Sequence, residues 1–130
     1  MSCNQAVDNY LGEKLNADVR PNDMPYSDGA AYTGKEHSWD EAFGYFRAAA
    51  NSLMLSAEDN CNVVKMKNFA GADANGGGVI DLKSERVFNS AYYAAGADKS
   101  GKTAYVGTIM RACLNGRALI ASADGEALTD

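Results

Sequence analysis

The run from Thr33 to Phe46 constrains this chain more than any other segment. Thr33-Gly34-Lys35-Glu36 has the spacing of a capping box: a hydroxyl placed to accept an amide of the first helical turn, and a carboxylate three residues later that reaches back. The central helix is expected to start here. At about 100° per residue, Trp39, Ala42, Phe43, Phe46, Ala50 and Leu53 share one side, which is expected to be core. His37, Asp40, Glu41, Gly44 and Ala48 fall on the opposite side.

The remaining periodicity is also helical. Cys3, Val7, Tyr10, Leu11 and Lys14 or Leu15 predict a short amphipathic helix over residues 2–15. Residues 16–32, with Pro21, Pro25 and Gly29, predict a long loop, a length that is often functional. Residues 56–61 read as polar and helix-breaking, and Val63, Val64, Met66 and Phe69 as a short helix or an irregular packed segment. A glycine-rich loop over 71–81 precedes a helix over 82–95, with Phe88, Ala91, Tyr92 and Ala95 on one face. Tyr105, Val106, Ile109, Met110, Cys113 and Ile120 mark a last helix that Asp124-Gly125 terminates. The expected fold is therefore all-α, an irregular bundle of four or five helices around Trp39, Phe43, Phe46, Phe88, Tyr92, Val106 and Ile109. At 130 residues it reads as one domain, 1–130.

Charge and hydropathy exclude several functions. The net charge is -5 and the twelve Lys and Arg residues are scattered, without the basic stripe that a phosphate backbone requires. No apolar run approaches the ~18 residues of a membrane span. The segment Met1 to Asp8 has neither the basic nor the apolar region of a signal peptide. A helix with an apolar face from its first turn implies a chain that starts inside a longer protein. Cys3, Cys61 and Cys113 form no Cys-x-x-Cys pair and read as buried free thiols, with one disulfide possible if the protein is exported.

Candidate chemistry lies in two places. His37 and Glu41 are four apart, and His37 and Asp40 three apart, so the three side chains can share a ligand. An imidazole and carboxylates suit part of a site for iron, zinc or another divalent ion, a His-carboxylate acid/base pair, or a polar ligand resting against Gly44 and Ala48. The alternative is a solvated face with a modest ion pair. Asp73-Ala74-Asn75-Gly76-Gly77-Gly78-Val79-Ile80-Asp81 resembles the start of an EF-hand-type calcium loop, with Asp73, Asn75 and Asp81 as oxygen ligands. It departs from that pattern at Gly77 and Ser84, and a glycine-rich turn with Asp81 capping the next helix is the competing reading. No nucleophile elbow, P-loop or dinucleotide fingerprint is present.

The segment Glu36-His37-Ser38-Trp39-Asp40-Glu41-Ala42-Phe43-Gly44-Tyr45-Phe46 resembles the signature of a family of exported bacterial proteins catalogued as domain of unknown function 4856. Asn4-Gln5 with Tyr10-Leu11, Ile80-Asp81-Leu82-Lys83-Ser84-Glu85 and Asn115-Gly116-Arg117-Ala118-Leu119-Ile120 resemble further family segments in the same order. The resemblance implies an all-helical periplasmic protein or outer-membrane lipoprotein, of which this chain is a C-terminal portion lacking its last helices. It is distantly similar to imelysin-like proteins linked to iron acquisition, although Gly34 to Asp40 fits their G-x-H-x-x-E motif poorly. The leading expectation is a non-catalytic binding protein for a small ligand, iron or another metal. A hydrolase-like enzyme using a His-carboxylate pair is the second expectation, and an interaction module with calcium at Asp73 to Asp81 the third.

Overall fold

The computed structural model describes residues 6–16, 19, 21–87 and 89–123. The chain is all-α: among the described residues the only β pairing is an isolated bridge between Pro25 and Thr33. Among the described residues a π-helical segment, Ala6–Glu13, precedes five α-helical elements: α1 (Gly34–Phe46), α2 (Ala57–Val64), α3 (Phe69–Ala72), α4 (Asn89–Asp98) and α5 (Tyr105–Ser122). Two compact units divide it, one made of residues 1–45 and 112–130 and the other of 46–111. Cys3, Phe88 and Asp124-Gly125, which entered the sequence reading, lie outside the described residues.

In the first unit, the predicted N-terminal helix is present as the π-helical segment, where the Lys14 amide donates to the Asn9 carbonyl five residues back. Tyr10 is buried there, its ring 5.2 Å from that of Tyr45 and under the Lys14 ammonium at 3.9 Å. The α1 capping box forms as its spacing predicts. The Glu36 amide donates to the Thr33 hydroxyl at 3.2 Å, and the Thr33 amide donates to Glu36 Oε2 at 2.8 Å.

The buried face of α1 differs from the expected one. Lys35, Ser38, Ala42 and Phe46 are buried, whereas Trp39 and Phe43 are only half-buried. Lys35 can sit inside because its ammonium donates to the Leu15 carbonyl at 2.7 Å. Hydrophobic periodicity cannot register a lysine that turns inward to a backbone acceptor. The helix stops at Phe46, followed by Arg47 in the left-handed region (φ 62°), so Ala50 and Leu53 do not extend its face and are exposed.

In the second unit, α2 packs against α4 and α3. Residues 56–61 do not break the helix as expected. Ser56 is the N-cap of α2, its hydroxyl accepting the Asp59 amide at 3.1 Å and donating to Asp59 Oδ2 at 2.7 Å. Asn60, Cys61, Val63 and Val64 are buried, and Asn60 secures the preceding turn by donating to the Ser52 and Leu55 carbonyls. The helix predicted over 82–95 is shorter and begins at Asn89. Leu82 to Glu85 form a turn instead, because the buried Glu85 carboxylate folds back onto the glycine-rich loop. Asp98, also buried, supplies the cap that α5 lacks locally. It accepts the Tyr105 and Val106 amides at 2.9 and 2.8 Å and the Thr103 hydroxyl at 2.6 Å. Of the expected core residues in this unit, Phe46 and Val106 are buried, Ile109 is half-buried and Tyr92 is exposed.

Candidate functional site

The first unit joins two of the segments singled out in the sequence. The Trp39 indole Nε1 donates to the Cys113 carbonyl at 2.8 Å, and the ring lies so close over Gly116 that a Cβ there would fall 2.0 Å from it. Beside this contact, Glu36 and Asp40, one turn apart on α1, both reach Arg117. Its Nη1 donates to Glu36 Oε1 at 2.6 Å and its Nε to Asp40 Oδ1 at 3.1 Å. The Thr33 amide holds the Glu36 carboxyl below its ordinary range against burial, which raises it, with Arg117 assisting. The ion pairs and the indole contact together fix α1 against the C-terminal half of α5 within this unit. Burial pushes the Cys113 thiol up, and both Cys61 and Cys113 are free.

His37 has a different setting. Its ring stacks on Tyr26 at 4.0 Å between centroids, with the planes 23° apart, and Tyr32 adds a third nearly parallel ring at 5.7 Å from His37. Nε2 is 3.6 Å from Glu41 Oε1. The two tyrosines come from a reversal in the loop, where the Tyr26 amide donates to the Tyr32 carbonyl at 2.8 Å. Gly29 supplies the positive φ (76°) at its tip. The three rings therefore seat this reversal on α1.

The other side of the same loop forms an open cleft of about 470 Å³. Its walls come from Asn22 to Pro25, Ala30 to Thr33, Glu36, Ile120 and Ala121. Asn22, buried at its base, donates to the Ile120 carbonyl at 3.0 Å and accepts the Thr33 hydroxyl at 2.7 Å. The polar groups at the base thus have partners in the wall itself, so the cleft is formed in advance of any ligand.

The sequence-predicted site residues therefore separate. His37 and Glu41 come together, whereas Asp40 turns to Arg117. In the second unit, Asp73 accepts the Gly77 and Gly78 amides at 2.9 and 2.8 Å, and Asn75 Oδ1 accepts the Gly77 amide at 2.7 Å. Asp81 accepts the Lys83 amide at 2.8 Å and the Ser84 hydroxyl at 3.0 Å, and these bonds lower its pKa. Asp81 accordingly caps a turn instead of α4. Glu85 closes the loop by accepting the Asn75 and Asp81 amides at 2.9 and 2.8 Å. Among the described residues no three His, Cys, Asp or Glu side chains gather as a metal-holding group.

A match over residues 1–127 to the family described as Domain of unknown function (DUF4856) covers nearly all of this. The chain belongs to the DUF4856 family. No curated protein and no solved structure matches it. Within this DUF4856 chain, sequence reasoning missed Arg117, Asn22, Tyr26 and Tyr32. Their visible signals were the family-like Asn115 to Ile120 segment and two tyrosines flanking Gly29 in a long loop. No described helix is long and apolar enough to cross a membrane.

Proposed function

We propose that this chain is a non-catalytic binding protein, working outside the cytoplasm as its family resemblance implies, whose ligand occupies the cleft between the 22–33 loop and Ile120. The observation that carries this reading is the preformed base: a volume of about 470 Å³ suits a small molecule, and Asn22, Thr33 and Glu36 are oriented by bonds within the wall. The lining favours a small polar ligand with one apolar face, set against Met24, Pro25 and Tyr32. The same bonds argue against catalysis, because Glu36 is locked between Thr33 and Arg117 with a lowered pKa and makes a poor proton acceptor.

The His37 and Glu41 pair favours a second reading, in which the two side chains supply part of the coordination of iron or another divalent ion and a chelating ligand supplies the rest. Thermal-shift and calorimetric titration with sugars, amino acids and ferric citrate tests both. Ala31→Trp, which fills the cleft from an exposed wall position, should abolish binding while leaving the melting temperature of the free protein unchanged. Binding that survives Ala31→Trp would move the ligand away from the cleft.

A further inference from the structure

The chain contains two Asn-Gly pairs in opposite settings, Asn75-Gly76 in the glycine-rich loop and Asn115-Gly116 inside α5. We propose that Asn75 is a self-modifying site, converted by its own backbone to aspartate and isoaspartate, and that the folded loop promotes the reaction.

Three features of the loop carry this. Asn75 and Gly76 are exposed, and a Cβ built at Gly76 would meet nothing within 4 Å, so the residue after Asn75 carries no side chain and has open space beside it. Gly76 has φ 71°, a conformation that glycine reaches without strain. The Asn75 Oδ1 already accepts the Gly77 amide at 2.7 Å, which polarises the side-chain carbonyl and stabilises the negative charge that attack would place on that oxygen.

In the reaction the Gly76 amide loses its proton to solvent base, and its nitrogen bonds to Cγ of Asn75. Charge develops on Oδ1 and is held by the Gly77 N–H. The carbonyl then re-forms, the Cγ–Nδ2 bond breaks, and Nδ2 takes a proton from water and leaves as ammonia. Water then opens the succinimide: attack at Cγ breaks the Cγ–N bond and gives aspartate, with the main-chain carbonyl carbon still joined to Gly76, whereas attack at the main-chain carbonyl carbon breaks its bond to the Gly76 nitrogen and gives isoaspartate, with Cγ joined to Gly76. No oxidant or reductant is involved. Either product places a second carboxylate beside Asp73, whose own oxygens accept the Gly77 and Gly78 amides.

Asn115 is the internal control. It has the same neighbour, but its Gly116 nitrogen belongs to the hydrogen-bond ladder of α5 and its backbone is helical, which keeps that nitrogen from the side-chain carbon. The test incubates the purified chain in mildly alkaline buffer, folded and in urea, and follows both sites by peptide mapping with isoaspartate detection. The expected result is conversion at Asn75 in the folded protein severalfold faster than in urea, with Asn115 converting only in urea. Asn75→Gln should stop conversion at that site while Asn115 still converts in urea. Conversion of Asn75 that is no faster folded than unfolded, or protection of Asn75 equal to that of Asn115, would overturn the proposal.

Discussion

At the scale of single residues, Gly116 illustrates a conflict between local propensity and packing. Alanine is favoured over glycine in a helix interior by about 1 kcal/mol. At this position the added methyl would enter the Trp39 ring, whose Nε1 is anchored to the Cys113 carbonyl and so resists displacement. Overpacking of this kind costs about 1–3 kcal/mol. Gly116→Ala is therefore expected to lower stability in urea melts, and a stabilised variant would refute the close contact. Ser38 presents the opposite case, being fully buried with no hydrogen-bond partner for its hydroxyl among the described residues. Ser38→Ala should be neutral or stabilising by the same measurement. Glu36 carries a pH dependence whose direction follows from its lowered pKa. Its contribution is present above the ordinary glutamate value of 4.5 and is lost as pH falls through the lower folded value. Wild type should consequently lose more stability than Glu36→Gln between neutral and acid pH, as read by urea melts across that range.

At the scale of elements, caps decide where helices begin, and they were legible only when local. Thr33 and Glu36 announce α1 because both halves of the box lie within four residues. Ser56 and Asp59 perform a related task for α2, but aspartate in place of glutamate and the polar run around it obscured the start. The cap of α5 could not be read at all, since Asp98 reaches it from the end of α4 across a loop. Glu85 escaped for the same reason: at Asn75 it acts ten residues away, and its role there ends the predicted continuation of α4 toward Leu82. Burial raises the Asp98 pKa, but the Thr103, Val106 and Tyr105 donors outweigh it and the net shift is downward. Asp98→Ala should cost about 1–3 kcal/mol through the buried amides it strands, with faster hydrogen exchange concentrated at the start of α5. Uniformly faster exchange along the chain would contradict a local capping role.

At the scale of the whole molecule, the all-helical class and the helix over Glu36 to Phe46 were visible in periodicity, whereas the partners of the side chains on its polar face were not. A helical wheel places His37, Asp40 and Glu41 together but cannot show that Arg117 draws Asp40 away or that Tyr26 and Tyr32 cover His37. This separation makes the metal reading testable residue by residue. If a divalent ion binds here, zinc or ferrous iron should raise the melting temperature of the wild type, and both His37→Ala and Glu41→Gln should remove that rise. Asp40→Asn should preserve it, because the side chain is committed to Arg117 at an exposed position. His37→Ala should also lower stability by about 0.5–1.5 kcal/mol without any metal, since it removes the ring on which the 26–32 reversal rests. A melting temperature indifferent to both metals in the wild type, combined with that metal-independent loss in His37→Ala, would overturn the metal reading and assign His37 to holding the loop.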